Sequence, residues 1–544
     1  MKPFHFSRHG LTGWELRRER FFEILPGFTS WSILAGMIGL SFFQPVIAAV
    51  IIILFDFYWL LRLFYLTLFL MIAYLRLSLE EKTDWLERVR KIDALKQGAE
   101  VEKASPRGWQ ARVSDLVFRG EWKKLKASGA LPPLSKDIYH LVIVPIYKEL
   151  REVVEPGVAS YAEGRFPAKQ ILIVLAVEER ASEQVKAGAR AIQEKYKEVF
   201  FDFLISIHPD GVPGEARVKG ANATCAARLS HQYLTDKKIP SENVIVSCFD
   251  ADTVVSPSYF SCLTYCFMVC PERERASFQP IPVYHNNIWD VPGFARILEM
   301  GASFFQLTEA THPDRLVTFS SHSMSFKALV EVDYWPIDMV SDDSAIFWKA
   351  FIHYEGDYRA VPMYVTVSMD VVDAGGWWKT SLNVYKQKRR WAWGVENFPI
   401  VMRGFLRPSK ISVFEKLRHG FKLFEGHLAW ATWPFILGIM GWLPVFFAGQ
   451  EFSDSVIYYT APRIASLIFH LASLSLAATI ILSLMLLPKS KTKNSFFRHF
   501  LHVLEWFAIP VVAIFFSAIP ALDAQTRLML AKYMEFWVTD KRRT

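Results

Sequence analysis

The chain has 544 residues, of which 52% are hydrophobic and 15% aromatic, and its formal net charge is +8. This length exceeds one ordinary domain, and the apolar residues gather at the two ends, which predicts a soluble domain between membrane segments. Loops that flank membrane helices account for the basic excess, so nucleic-acid binding is the weaker interpretation. The five cysteines lie in the middle region without the spacing of a secreted disulfide framework.

The N-terminal part of the chain predicts two membrane helices behind a short cytoplasmic segment. Residues 1–27 are polar and basic and lack the pattern of a secretory signal. Residues 28–78 are almost continuously apolar, which is enough for two helices of about 20 residues each. Asp56 and Arg62 are costly in lipid, so we expect them to face a protein interface or to pair with each other, with a proton or ion path as the alternative. Residues 79–136 predict a cytoplasmic helical connector.

The middle region, residues 137–403, alternates runs of β-branched residues with helical stretches. Such runs are typical of a mostly parallel sheet that is covered on both faces, so we predict a Rossmann-like α/β domain. Ligands of these sheets bind beyond the carboxyl ends of the strands, where Tyr147, Glu178 and Asp250 fall.

One apolar run, residues 243–249, stops at two carboxylates, Asp250 and Asp252. Because side chains alternate along an extended strand, both acids are expected to point the same way and to reach one cation. Carboxylate oxygens suit a hard ion such as Mg2+ or Mn2+. The alternative is that Asp-x-Asp only ends a strand in a turn.

Four motifs follow one another through the middle region. They are Val-Pro-Ile-Tyr-Lys-Glu at residues 144–149, Phe-Asp-Ala-Asp at residues 249–252, Ser-Asp-Asp at residues 341–343 and Gln-Lys-Arg-Arg-Trp at residues 387–391. Together they resemble the motifs of family 2 inverting glycosyltransferases of the membrane-embedded, cellulose-synthase-like or hyaluronan-synthase-like type. The resemblance covers roughly residues 141–399. It implies a GT-A-type cytoplasmic domain inserted between N-terminal and C-terminal transmembrane α-helices.

The activity implied by the resemblance is that of a membrane-bound hexosyltransferase. Such an enzyme moves a sugar from a nucleotide-diphosphate donor, with a UDP-sugar favoured, to the hydroxyl of a glycan acceptor with inversion. The resemblance further implies a divalent cation, Mg2+ or Mn2+, and processive polysaccharide synthesis with export of the product. Two alternatives stay open, namely transfer of a single sugar to a lipid phosphate carrier and a non-catalytic membrane scaffold or transporter.

The resemblance also assigns roles in catalysis. Asp343 matches the catalytic base, and a carboxylate within reach of the acceptor hydroxyl is sufficient for that role. Asp342 stands where the family usually has glutamate, so its own role is in doubt. Asp250 and Asp252 match the residues that hold the cation, which neutralises the leaving diphosphate. The residues around Ser341 are also good helix caps, and capping is compatible with catalysis.

The remaining candidates bind the two substrates. Arginine can fork two hydrogen bonds onto a diphosphate, and an indole face can stack on a sugar or a base. Lysine at a helix N-terminus attracts phosphate. Donor contacts are expected from Tyr147, Glu149, Glu178, Lys219, Asp250, Gln387, Arg390 and Trp391. Acceptor contacts are expected from Gln279, Ser321, His322, Asp342 and Trp391.

Alternatives apply to three of these positions. His322 could be a satisfied buried histidine. Glu178 and Glu179 replace the usual Asp-Asp pair, which makes base recognition less certain. The basic helix around Gln387 could lie on an anionic membrane, and Lys388 and Arg389 could have that role alone.

The C-terminal part predicts a return to the membrane. Residues 404–426 are expected to form an interfacial amphipathic helix, residues 427–520 three membrane segments and residues 521–544 a basic tail. Three spans would leave this tail outside, whereas its lysines and arginines favour the inside. A break at Pro510 that makes the last segment re-entrant would resolve the conflict. The predicted location is a bacterial inner or plasma membrane, with the catalytic domain in the cytoplasm.

Overall fold

The computed structural model describes residues 4–98, 108–447, 449–488 and 495–535. An eight-stranded mixed sheet forms the centre of the middle region. Its strands are β1 (Tyr139–Ile146), β2 (Ile171–Glu178), β3 (Asp202–His208), β4 (Val244–Cys248), β5 (Val254–Val255), β6 (Ala276–Val283), β7 (His322–Ser325) and β8 (Arg359–Ser368). They lie in the order β3-β2-β1-β4-β7-β6-β8-β5.

Helices precede the sheet, cover it and follow it. Those before it are α1 (Gly13–Phe43), α2 (Pro45–Glu80), α3 (Trp85–Lys96) and α4 (Trp109–Ser128). Those between or directly after its strands are α5 (Arg151–Ala162), α6 (Glu183–Tyr196), α7 (Lys219–Asp236), α8 (Tyr259–Val269), α9 (Gly293–Ala310), α10 (Phe326–Glu331), α11 (Asp342–His353), α12 (Trp377–Ala392) and α13 (Asn397–Phe405). The last are α14 (Val413–Gly438), α15 (Leu443–Phe446), α16 (Gln450–Ser453), α17 (Val456–Leu486), α18 (Ser495–Glu505), α19 (Ile509–Ala513) and α20 (Ile519–Met529).

The sheet is buried on both faces. Along β1, Val142, Val144 and Ile146 belong to the core that includes α5, α6 and α8. Leu141 and Ile143 point to the opposite face and join the core that includes α7 and α11, because side chains alternate along a strand. Strands β3, β2, β1 and β4 are parallel, whereas β7 runs antiparallel to both of its neighbours. The predicted α/β domain of GT-A type is therefore confirmed.

The described residues contain four helices that are long and apolar enough to cross a membrane. They are α1, α2, α17 and the run Phe497–Met529, and α14 with the residues Met440–Phe446 forms a bent fifth candidate. The turn between the first two helices falls at Gln44, directly before Pro45, which suits the first turn of a helix. Helix α14 (Val413–Gly438) contains both the later part of the predicted interfacial stretch 404–426 and the start of the next segment, so no boundary separates the two at residue 426.

The final helical run passes through Pro510 without dividing into a re-entrant pair. Pro510 lies in the first turn of α19, behind a short 3-10 turn at Trp506–Ala508, and a proline there forfeits no intrahelical hydrogen bond. Residues 489–494 and 536–544, which carry most of the basic residues that favoured an inside tail, lie outside the described residues. The side of the tail stays a prediction.

Asp56 and Arg62 do not pair with each other. Arg62 is bonded to Glu425 of α14 at 2.5 Å and lies over the ring of Trp433 at 4.5 Å. Asp56 is buried within α2, which packs against α17. Both charged residues therefore face protein, which was the first of the two expectations.

Candidate active site

Asp250 and Asp252 lie in a turn that follows β4. The N–H of Thr253 donates to the carbonyl oxygen of Asp250 at 2.9 Å and closes this turn. Because the backbone is no longer extended here, the argument from strand alternation does not apply to these two residues, although both acids do follow a buried strand. The Asp250 side chain is 32% exposed, whereas Asp252 is fully buried.

Three groups hold Asp250. The Lys219 ammonium at the start of α7 donates to its Oδ1 at 2.6 Å, and the Ser320 hydroxyl donates to its Oδ2 at 2.9 Å. Its own N–H donates to the Ser321 hydroxyl at 3.0 Å. Burial lowers the pKa of Lys219, but Asp250, Cys248, Asp342 and Asp343 together outweigh burial and hold this pKa well above its usual range. Lys219 is therefore a cation at neutral pH.

Asp252 joins the turn to the ends of β6 and β8. Its Oδ2 accepts from the N–H of Asp370 at 2.8 Å, and its carbonyl oxygen accepts from the Asn286 amide at 3.0 Å. The same amide donates to the Asp370 carboxylate at 2.8 Å. These bonds tie the turn to the segment that leads on to α12.

The acids can hold a cation only together with other oxygen ligands. Within the described ranges, no three His, Cys, Asp or Glu side chains are grouped to hold a metal ion. Mg2+ is commonly bound by one or two carboxylates plus substrate phosphates and water, and the oxygen donors of Asp250 and Asp252 fit that pattern.

Asp343 lies in the first turn of α11, and its carboxylate is held at both oxygens. The N–H of Ser320 donates to Oδ2 at 2.9 Å, and the N–H of Ser344 donates to Oδ1 at 2.8 Å. The Thr318 hydroxyl donates to the Asp343 carbonyl oxygen at 2.6 Å. A half-buried carboxylate that is oriented in this way can accept a proton from a hydroxyl placed beside it.

Ser320 connects the two acids, because its hydroxyl bonds Asp250 and its N–H bonds Asp343. Its φ is +42°, a left-handed backbone that serine rarely adopts and that carries strain. Sequence reasoning identified the loop around Ser321 and His322 but missed Ser320 itself. A strained backbone at a single serine leaves no signal in one sequence.

Asp342 is buried against the start of α7. A Cβ on Gly220 would come within 2.3 Å of the Pro336 carbonyl oxygen and 3.1 Å of the Asp342 Cβ, so glycine is required for this close packing. Burial raises the pKa of Asp342 to about 7; Lys219 opposes this shift, whereas Asp343 and Asp250 add to it.

The pKa of Asp342 predicts how stability depends on pH. The pKa of the Asp342 carboxyl is 3.8 in the unfolded chain and about 7 in the folded protein. Protonated Asp342 therefore stabilises the folded state fully below pH 3.8, and this stabilisation is lost as the pH rises through about 7. We expect Asp342→Asn to remove this loss. Thermal unfolding of both proteins in detergent, from about pH 4 to about pH 8, checks it. Parallel melting profiles would show that Asp342 does not titrate in this range.

Three predicted acceptor residues hold the loop in front of β7. Gln279 Oε1 accepts from the N–H of Phe319 at 2.7 Å, and the Ser321 hydroxyl bonds that of Thr253 at 2.7 Å. His322 is buried, its Nδ1 donates to the Ser320 carbonyl oxygen at 2.8 Å, and burial lowers its pKa to about 4. These contacts favour a structural role for His322. Gln279, Ser321 and His322 all support the loop that carries Ser320.

Trp391, near the end of α12, lies beside Phe319 and Tyr284, and we call these three rings the aromatic wall. The Trp391 ring lies 5.7 Å from that of Phe319 and 6.3 Å from that of Tyr284. Among the described residues, the buried Tyr284 hydroxyl and Gln387 Oε1 have no hydrogen-bond partner. Tyr284 was missed from the sequence because a single tyrosine after a strand carries no motif.

Two basic side chains of α12, Lys388 and Arg389, point into protein rather than lying on a membrane. Lys388 is buried, pairs with Glu299 of α9 at 2.8 Å and lies 3.6 Å from the centre of the Trp391 ring. Arg389 pairs with Asp523 of α20 at 2.9 Å. The membrane-surface alternative for Lys388 and Arg389 was therefore wrong, because both charges are neutralised internally.

The predicted donor residues Tyr147, Glu149 and Glu178 lie beyond the ends of β1 and β2. Glu149 Oε2 accepts from the N–H of Tyr147 at 2.9 Å and from that of Lys148 at 3.0 Å, so it stabilises the turn. Arg180 lies 4.2 Å from the centre of the Tyr147 ring and pairs with Glu178. A cavity of about 90 Å3 opens beside Glu178 and Arg180. Arg390 lies half-buried on α12.

Comparison with known proteins gives one family and several solved structures. The model for glycosyl transferase family group 2 matches residues 245–519. The mannosyltransferase PcManGT from Pyrobaculum calidifontis, in complex with GDP-Man and Mn2+, is 14% identical over 72% of this chain and 99% of its own, with a TM-score of 0.38. TarS 1–349 from S. aureus is 14% identical over 62% of this chain and 88% of its own, with a TM-score of 0.33. No curated protein matches the chain.

Proposed function

The chain belongs to glycosyl transferase family group 2, and from this premise we propose that it moves a sugar from a nucleotide-diphosphate donor to a glycan hydroxyl with inversion. The observation that supports this most directly is the bridge at Ser320, which bonds Asp250 through its hydroxyl and Asp343 through its N–H. One loop residue thereby holds both Asp250, which could bind the leaving diphosphate through a cation, and Asp343, which could take the acceptor proton. Single displacement with inversion uses one group of each kind, on the two sides of the reacting carbon.

The donor half of the proposal rests on charge. We assign Asp250 and Asp252 to a divalent cation, Mg2+ or Mn2+, which supplies positive charge to the leaving diphosphate when bound. Lys219 lies at the start of α7, so its ammonium and the helix N-terminus both favour phosphate at this point. Tyr147 and Glu178 are assigned to the nucleotide base, with a UDP-sugar favoured by the resemblance.

The acceptor half rests on Asp343 and the aromatic wall. As the acceptor oxygen attacks the anomeric carbon, the bond from that carbon to the diphosphate oxygen breaks and Asp343 takes the hydroxyl proton. Trp391 is assigned to stacking on the acceptor sugar, and the Tyr284 hydroxyl and Gln387 are assigned to its hydroxyl groups.

We propose that the acceptor is a growing polysaccharide and that the domain lies on the cytoplasmic side of a bacterial inner membrane. The candidate spans on both sides of the domain support a membrane location, and Arg17 and Arg18 near the N-terminus favour the cytoplasm. Transfer of one sugar to a lipid phosphate carrier is the alternative.

Product length after Trp391→Ala distinguishes these two acceptors. The substitution removes the indole ring that we assign to stacking on the acceptor sugar. Stacking on an aromatic side chain contributes roughly 1 to 3 kcal/mol for a nucleic-acid base, and we take a similar loss of acceptor affinity here. We therefore expect products to shorten while donor hydrolysis continues. Products are separated by size after incubation with radiolabelled nucleotide sugars. Trp378→Ala is the matched control, since Trp378 begins the same helix and is 81% exposed. A single-sugar lipid product from the wild-type protein would contradict the polysaccharide assignment, and weaker donor binding alone would contradict the role of Trp391.

A further inference from the structure

Glu396 is a buried carboxylate just beyond α12 that belongs to none of the four motifs. Its Oε1 accepts three hydrogen bonds, from the N–H of Val340 at 3.0 Å, the N–H of Ser341 at 2.9 Å and the Ser341 hydroxyl at 2.8 Å. Its Oε2 accepts from the indole N–H of Trp393 at 2.9 Å. One carboxylate thus connects the end of α12 to the backbone that leads into α11.

The helix cap that the sequence predicts at Ser341 does not form. The Ser341 side chain makes no capping bond to α11, because its hydroxyl is turned towards Glu396. Buried backbone N–H groups need an acceptor, and Glu396 supplies it for the two residues in front of the helix. The orientation of the first helical turn therefore depends on Glu396.

A second residue holds the other side of the same turn. The Asn397 amide donates to the Ser341 hydroxyl at 3.0 Å and to the Ser344 hydroxyl at 3.1 Å. Asp342 and Asp343 lie between these two serines. The two carboxylates are thereby carried by a turn that is fixed at both ends from the α12–α13 junction.

The N-terminal segment contacts Glu396 from the opposite direction. Arg8 Nη1 lies 3.8 Å from Glu396 Oε2, and Ser7 donates to Asp338 on the chain that leads to Val340. Arg403 in turn donates to the Ser7 carbonyl oxygen at 2.7 Å. Arg8 therefore offsets part of the cost of burying the Glu396 carboxylate.

We propose that Glu396 is a positioning residue that holds Asp343 in register with the acceptor hydroxyl. The inference rests on the proposed function, because it takes Asp343 as the base. The hydrogen bonds and the ion pair described above for Glu396 involve neither the donor residues Lys219 and Asp250 nor Trp391. Its loss should therefore slow the chemical step and leave nucleotide binding intact.

Glu396→Leu and Glu396→Gln in the full chain test this role. We expect the leucine variant to lose about 10-fold to 100-fold in kcat, as small misplacements of catalytic groups do. Its affinity for UDP or GDP with Mn2+ should stay within about twofold of wild type. Glutamine can present its carbonyl oxygen to the same three donors, but its NH2 group then faces the Trp393 indole N–H, so the Gln variant should recover part of the rate. Glu121→Leu is the control, since Glu121 lies on α4 and accepts from Tyr265.

A double variant separates positioning of Asp343 from a general loss of structure. In an Asp343→Asn background, Glu396→Leu should change the residual rate by less than about twofold, because the group it positions is already gone. The inference is overturned by a full additional loss in that background, by nucleotide affinity that falls in parallel with kcat, or by a leucine variant as fast as wild type. If the leucine variant does not fold, Asn397→Ala is measured by the same criteria.

The outcomes for Glu396 and for the proposed function are distinct. A wild-type protein that transfers no sugar would reject the proposed function, and an unchanged rate in Asp343→Asn would place the base elsewhere and leave Glu396 no base to position. A strong loss in Asp343→Asn together with an unchanged rate in Glu396→Leu would leave the function standing and would reject only the positioning role.

Discussion

Replacing Asp343 with asparagine is expected to lower kcat for sugar transfer by about 100-fold to 10,000-fold, the range that general base catalysis contributes. Asparagine has nearly the same shape and can still accept one of the two backbone hydrogen bonds that hold the carboxylate, from Ser320 and Ser344. It cannot take the proton of the acceptor hydroxyl. Initial rates at saturating donor and the affinity for UDP or GDP with Mn2+ give the two quantities to compare.

The variant Asp357→Asn serves as the control for this comparison. Asp357 is 52% exposed and pairs with Arg275 at the surface, so its substitution should leave kcat unchanged. An Asp343→Asn protein that transfers sugar at the wild-type rate would show that the base lies elsewhere. Loss of nucleotide affinity equal to the loss of kcat would assign Asp343 to donor binding.

Replacing Asp250 with alanine is expected to lower turnover by at least about 100-fold and to abolish the response to Mn2+, since metal-ion charge stabilisation supplies several kcal/mol. The substitution removes the more exposed carboxylate of the pair and leaves the Lys219 ammonium without its 2.6 Å partner. Nucleoside diphosphate affinity should therefore fall together with the rate. Turnover is measured during titration with Mn2+ or Mg2+.

Asp357→Ala provides the matching control for Asp250, with the same change of side chain at an exposed ion pair. A normal metal response in Asp250→Ala would move the cation site away from this turn. Retained turnover with a lost metal response would instead mean that Lys219 alone balances the diphosphate charge.

The sheet could be predicted from sequence because its signal is local. Runs such as those of β1 and β2 are apolar on both faces, and only a sheet covered on both sides buries them. The carboxyl ends of these strands then predict where Tyr147, Glu178 and Asp250 gather. The order of the later strands, with β7 antiparallel between β4 and β6, carries no comparable local signal.

The details of the candidate site could not be predicted, because they depend on contacts between distant segments. Ser320 acts through bonds to the turn after β4 and to the first turn of α11, and the Ser341 hydroxyl bonds Glu396 instead of capping its own helix. Lys388 and Glu299 form their pair only when α9 and α12 are packed together. Single-sequence reasoning sees the charge of Lys388 but not its partner, so it left a membrane surface open as an alternative.

Turnover of nucleotide sugars by the purified full chain tests the central claim most directly. The protein is incubated with a panel of UDP-sugars and GDP-sugars, with Mn2+ or Mg2+ and again after chelation by EDTA, and release of nucleoside diphosphate is followed together with sugar transfer. Metal-assisted transfer predicts release that requires the cation and is lost in both Asp250→Ala and Asp343→Asn. Release that is unchanged by EDTA and by both substitutions would contradict it.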